Sequence, residues 1–131
     1  MKHIASFIAA CAMLLCCGCA KHPATVPVSG EVLYKGQPLK QGRIIFEIDG
    51  QRPATGKIAD GKIVEVTSYE PNDGVAPGTV KIAVFSLGEE KGYMEADTES
   101  LIPEKYNHPK TSGLAATIEK GKKNVIKLTL E

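Results

Sequence analysis

The chain has 131 residues, with sixteen Lys and Arg against fifteen Asp and Glu, no Trp, and four cysteines at positions 11, 16, 17 and 19. This length allows one hydrophobic core and is too short for two. The near balance of charge gives no electrostatic case for nucleic acid or for attraction to an anionic membrane surface.

Met1-Lys2-His3 makes a basic start, and Ile4 to Leu15 is an apolar run of twelve residues that ends in the small-residue stretch before Cys19. As a helix that run is about 18 Å long, short of the roughly 30 Å of a hydrocarbon core. Continued through Ala20 it reaches seventeen residues, the short limit for a span. The layout is that of an export signal covering residues 1–18. Gly18-Cys19 at its end resembles the lipobox of bacterial lipoproteins, in which the cysteine is acylated and becomes the new N-terminus. Cys16 stands three residues before Cys19, where that pattern usually has leucine, and Leu15 lies one further back. Cys17 is the competing acylation site, and an uncleaved anchor or ordinary secretion are the competing fates. The lipobox implies a partner, the membrane, reached through the N-terminal lipid. Ala20 in the following position points to the outer membrane under the enteric sorting rule, and the leaflet stays open.

Cleavage before Cys19 removes Lys2 alone among the charged residues, leaving fifteen cations against fifteen anions. It also leaves Cys19 as the single cysteine, consumed by lipid, so the domain has no disulfide and no thiolate chemistry although its compartment permits disulfides. Ala20 to Pro27 contains two prolines and no periodicity, and residues 19–27 read as a lipidated cysteine and tether, with His22 a solvated linker histidine. No later tract is apolar enough to span a bilayer.

From Val28 the sequence alternates. Val28, Gly30, Val32 and Tyr34 share one parity, and Lys35-Gly36-Gln37-Pro38 is turn chemistry. Arg43 to Asp49 is a second strand, with Ile44, Phe46 and Ile48 in phase. Thr55 to Ala59 and Lys62 to Tyr69 flank Asp60-Gly61, a dipeptide suited to a tight hairpin. In the second of these, Val64 and Val66 read as one face. After Pro71-Asn72-Asp73-Gly74 and Pro77-Gly78, Thr79 to Ser86 carries Val80, Ile82 and Val84 on one side. Leu114 to Glu119 and Asn124 to Leu130 close the chain, the last with Ile126, Leu128 and Leu130 on one face. Seven short strands without a long helix predict an all-β, antiparallel seven-stranded sandwich over residues 28–131.

Leu87 to Gly113 interrupts the series. Twenty-seven residues exceed an ordinary loop, so function should concentrate there. Its first half is acidic and supplies the candidate interaction residues Glu89, Glu90, Tyr93, Glu95, Asp97 and Glu99. Tyr93 to Leu101 could form one or two helical turns before Pro103. Gly88 to Ser100 is expected to be exposed, and Ile102 to Tyr106 to dock on the sheet.

Val28-Ser29-Gly30-Glu31-Val32, leading to Tyr34-Lys35-Gly36-Gln37-Pro38-Leu39, resembles the opening of carboxypeptidase-regulatory-like domains, which are small transthyretin-like or Ig-like β-sandwiches. The Asp60-Gly61-Lys62-Ile63 hairpin and the Ala76-Pro77-Gly78 approach to a strand fit the same pattern. Ile102-Pro103-Glu104-Lys105-Tyr106-Asn107, then Thr111-Ser112-Gly113-Leu114, resembles a family of small bacterial lipoproteins carrying this domain. Ile63 and Val80 stand where the pattern often has aromatics, and both replacements are apolar. The resemblance implies no catalytic residues and no cofactor.

The residue inventory agrees. Only His22 and His108 remain after signal removal, and no Gly-x-Ser-x-Gly elbow supports a triad of His108 with Ser112 or Thr111. No His or Cys spacing suits zinc. Glu95, Asp97 and Glu99 could attract calcium but lack a spaced ligand loop. Tyr69, Tyr93 and Tyr106 are the loop aromatics a glycan could use. The expected function is therefore a non-catalytic, membrane-anchored module of the cell envelope with an envelope protein or glycan as partner. The alternative is a lipoprotein that binds a glycan or a divalent cation.

Overall fold

The computed structural model describes residues 22–88 and 99–131. They form eight β-strands and one 3-10 turn: β1 (Val28–Tyr34), β2 (Gln37–Pro38), β3 (Gln41–Glu47), β4 (Ala54–Ala59), β5 (Lys62–Thr67), β6 (Gly78–Phe85), the turn Glu104–Asn107, β7 (Leu114–Ile118) and β8 (Asn124–Leu130). There is no α-helix among the described residues.

Hydrogen bonding joins the strands in the order β2-β1-β5-β4-β3-β6-β7, with β8 on β1. The result is a strongly curled half-barrel of seven strands plus one more, mostly antiparallel. β1 is central to the closure. Leu33 and Tyr34 pair with β2, and Gly30 and Glu31 with β5, while β8 takes the other edge along its whole length from Val28↔Asn124 to Tyr34↔Leu130. That last pair is parallel, a departure from the antiparallel arrangement the sequence predicts. The reason is the β7–β8 connection. β7 ends beside the start of β6 (Gly78↔Ile118), and the chain then crosses to β1 instead of folding back as a hairpin. Asn124 holds this crossing. Its side-chain oxygen accepts the Glu119 N–H at 2.9 Å, and its amide donates to Glu119 O at 3.0 Å and Lys122 O at 3.2 Å.

The alternating residues meet inside the curl. Val32, Ile44, Phe46, Val80, Ile82, Val84, Ile118, Ile126 and Leu128 all belong to one buried cluster, joined by Leu39, Ile58, Ile63, Val66, Val75 and Leu130. The predicted phases of β1, β3, β6 and β8 hold. That of β5 does not. Ile63 and Val66 point inward, whereas Val64 is 37% exposed. The cause is a bulge: the β4–β5 register jumps between Thr55 and Lys57, and Glu65 takes a positive φ of 52°. One additional residue thus separates the two inward side chains, and it sharpens the local twist that a curled sheet needs.

The Asp60-Gly61 hairpin forms with φ of 48° and 74°, the paired positive values of the tight turn that suits twisted strands. Gly61 is required there twice over. Besides its φ, a Cβ would stand 2.6 Å from Cβ of Pro38. The Gly61 N–H donates to Leu39 O at 2.7 Å and Val32 N–H donates to Gly61 O at 2.8 Å, so the hairpin tip is what β2 and the following residues pack upon.

Candidate functional site

Of the residues singled out by sequence, Cys19, Glu89, Glu90, Tyr93, Glu95 and Asp97 lie outside the described residues, as does most of the Tyr93–Leu101 stretch read as helical. Glu99 is described and exposed, and its carbonyl accepts the Gly88 N–H at 3.1 Å. Leu87 and Ser100 form an isolated antiparallel bridge, and Leu101 N–H donates to Ser86 O at 2.8 Å. The two roots of the acidic stretch are therefore tied together at the end of β6.

The second half of the long segment docks as expected. Ile102 and Tyr106 are buried in the core cluster, and the 3-10 turn containing Tyr106 packs on β6. The Tyr106 hydroxyl accepts the Glu131 N–H at 3.0 Å, giving the polar tip of a buried ring its partner. Beyond the turn, the side chains weighed as nucleophiles are engaged with backbone. Ser112, buried, donates to Ile82 O at 2.5 Å and accepts from Leu114 N–H at 3.1 Å. Thr111 donates to Lys105 O at 2.8 Å. Among the described residues no hydrogen bond joins the His108 ring to either hydroxyl.

The most elaborate polar cluster lies elsewhere, in the loop after β5. Asp73 accepts three backbone N–H groups, from Ser68 (2.6 Å), Tyr69 (3.0 Å) and Glu70 (3.1 Å). Partial desolvation pushes its carboxyl up, but these N–H groups and its own together outweigh that and hold it below the ordinary aspartate value. Ser68 Oγ donates to Gly74 O at 2.7 Å, and Asn72 N–H donates to Thr67 Oγ1 at 3.1 Å. A loop of this kind presents a fixed surface, and the chain uses it at once.

That surface holds the segment read as a solvated tether. Val26 and Val75 exchange backbone hydrogen bonds of 2.9 Å in both directions, an isolated antiparallel bridge. Gly74 has φ of 91°, and a Cβ there would meet Val26 O at 1.9 Å, so only glycine lets the two backbones approach. Further out, the His22 ring stacks on Tyr69 with centroids 4.8 Å apart and planes 6° from parallel. His22 Nε2 lies 3.4 Å from Glu70 Oε1, and the Arg52 guanidinium stands 6.0 Å from the Tyr69 ring centre. The segment is thus held to the domain at two points, Val26 and His22. The signals available in sequence were Val26, a lone apolar residue before a proline, and the Asp73-Gly74 turn that receives it.

The same contacts bear on glycan binding. Tyr69 has His22 on its ring, Tyr106 is buried, and Tyr93 lies outside the described residues. A shallow groove of about 390 Å³ does cross the outer face of β3 to β5, lined by Arg43, Thr55, Lys57, Glu65, Thr67 and Asn72 among others. Lys57 and Glu65 pair across it at 2.5 Å, both more than half exposed, a contact of small energetic weight in water. Among the described residues no group of three or more His, Cys, Asp or Glu is placed to hold a metal ion.

Compared with protein-family models, curated proteins and solved structures, the chain matches none.

Proposed function

We propose that this chain is an exported bacterial lipoprotein, cleaved before Cys19 and acylated there. Residues 28–131 then serve as a non-catalytic structural or interaction module of the cell envelope. The observation that carries the reading is the run of apolar residues ending in Gly18-Cys19. We read the curled all-β sheet as a β-sandwich of the transthyretin-like, carboxypeptidase-regulatory-like kind. The inward-facing strands around one core and the Asp60-Gly61 hairpin support that reading. Its non-catalytic side is supported by Ser112 and Thr111, whose hydroxyl protons are donated to backbone carbonyls.

Intact-mass spectrometry of protein purified from membranes tests it. The expected chain begins at Cys19 and carries acyl mass, and Cys19→Ala accumulates as a larger precursor. Mature protein that begins elsewhere and bears no lipid refutes the anchor. Two or more acyl chains are what make such an anchor stable, at about 0.8 kcal/mol for each buried CH₂. A rise in melting temperature with a glycan or divalent cation, by mass action, would replace the interaction module with the ligand-binding alternative.

A further inference from the structure

The docked tether fixes which end of the domain would meet the lipid. The strand directions place several loops together at the end where β1 begins. β8 runs parallel to β1 and starts there at Asn124. β5 is antiparallel to β1 and ends there at Thr67, β4 begins there, and β3 ends there at Glu47. β6 begins there and β7 finishes there. The tether end thus gathers the loop 48–53, the loop 68–77 and the turn 119–123. The far end gathers the turns at Lys35-Gly36 and Asp60-Gly61, the C-terminus, and the two roots of the acidic stretch at Leu87 and Ser100.

A tether of eight free residues from Ala20 to Pro27 would let the domain turn any face to the membrane. The Val26–Val75 bridge and the His22–Tyr69 stack remove most of that freedom. From the last docked residue, His22, to Cys19 there are three Cα–Cα steps, at most about 11 Å of chain. The lipidated cysteine therefore cannot travel far from Tyr69 and Glu70.

We infer that the tether end, with Tyr69, Arg52 and the turn Lys120–Lys123, is the membrane-facing surface, and that the far end points away from the lipid. The inference rests on the lipid-anchor reading above. Charge does not produce this orientation: Arg52, Lys120, Lys122 and Lys123 are offset there by Asp49, Glu70, Asp73 and Glu119. The clamp does, so the orientation should hold on zwitterionic lipid as well.

The test uses the acylated full chain, purified from membranes and placed in phosphatidylcholine vesicles. With Cys19 blocked by lipid, a fluorophore can be put on one introduced thiol, at Gln51→Cys on the tether end or Gln37→Cys on the far end, both exposed positions. Nitroxide carried on the lipid headgroup should quench the first label severalfold more than the second. Opening the clamp should erase most of that difference. Gly74→Val does so through the Cβ clash with Val26. The double variant His22→Ala, Val26→Pro removes the stack and the donor to Val75 while leaving every strand residue in place, and circular dichroism checks that the fold survives. Equal quenching of both labels in the unaltered protein overturns the inference, and so does a difference that persists in the double variant. Flotation on a density gradient separates the two readings. Protein that fails to float refutes the lipid anchor and the orientation with it. Protein that floats with equal quenching refutes the orientation alone.

Discussion

Truncating Tyr106 measures how much of the long segment belongs to the fold. Tyr106 is 5% exposed, and its hydroxyl accepts the Glu131 N–H. Tyr106→Phe keeps the ring and removes the acceptor, a loss of about 0.5–1.5 kcal/mol. Tyr106→Ala removes roughly 130 Å² of buried ring surface, which at about 25 cal/mol/Å² is near 3 kcal/mol. The cavity left between the 3-10 turn and β6 raises the expected loss to about 3–5 kcal/mol. Against a total of about 5–15 kcal/mol for a domain of this size, that is a large fraction. Urea unfolding followed by far-UV circular dichroism reads both variants as shifts of the midpoint at constant slope. A Tyr106→Ala loss below about 1 kcal/mol would show that the segment rests on the sheet without supporting it. Equal losses in the two variants would mean that the hydrogen bond, and not the packed ring, carries the contact.

Three further outcomes follow from the packing. Phe46→Ala, at a fully buried position between β4 and β6, should cost about 3–5 kcal/mol, whereas Val125→Ala, 62% exposed, should stay within about 0.5 kcal/mol; comparable values would invert the strand phase. Val66→Ala should destabilise by about 1–3 kcal/mol and Val64→Ala by under about 0.5 kcal/mol, and the reverse order in chemical denaturation would remove the bulge at Glu65. Asp73 has its folded-state pKa depressed, so its contribution is present above the ordinary aspartate value of 3.8 and is lost as pH falls through the folded value. Asp73→Asn should therefore flatten the acid limb of a melting-temperature profile below about pH 4, and an unchanged limb would show that the loop does not depend on the carboxylate.

The parts of the fold legible in sequence are those whose physics is local. β1, β3, β6 and β8 announce their inward faces because a strand repeats every two residues, and Asp60-Gly61 announces its turn through positive φ. The same rule fails at β5. Val64 and Val66 share parity in sequence, but Glu65 occupies the left-handed region and resets the count. β2 is two residues ending in Pro38, too short for any periodicity. The parallel β1–β8 pair joins segments nearly a hundred positions apart, and no pattern in either strand specifies its partner. At the candidate site the contrast is sharper. The proposed acylation at Cys19 rests on a linear pattern that sequence displays by itself, whereas the docking of Val26 and His22 depends on a loop built around Asp73 some fifty residues later.

The β1–β8 pair also governs how the domain would carry tension. The N-terminal link enters β1 at Val28, and β8 finishes at Leu130 at the opposite end of the adjacent strand. A pull applied at the start of β1 and at the end of β8 slides the two strands past each other lengthwise. In that geometry the rungs from Val28↔Asn124 to Tyr34↔Leu130 share the load together instead of opening one after another. β5 and β2 brace β1 from its other side. The Val26–Val75 bridge lies outside this ladder and would yield first, lengthening the link while the sheet stays whole. Resistance to such pulling is set by the rate of forced unfolding and not by equilibrium stability. A domain of ordinary stability can therefore resist a lengthwise pull on β1 and β8 strongly.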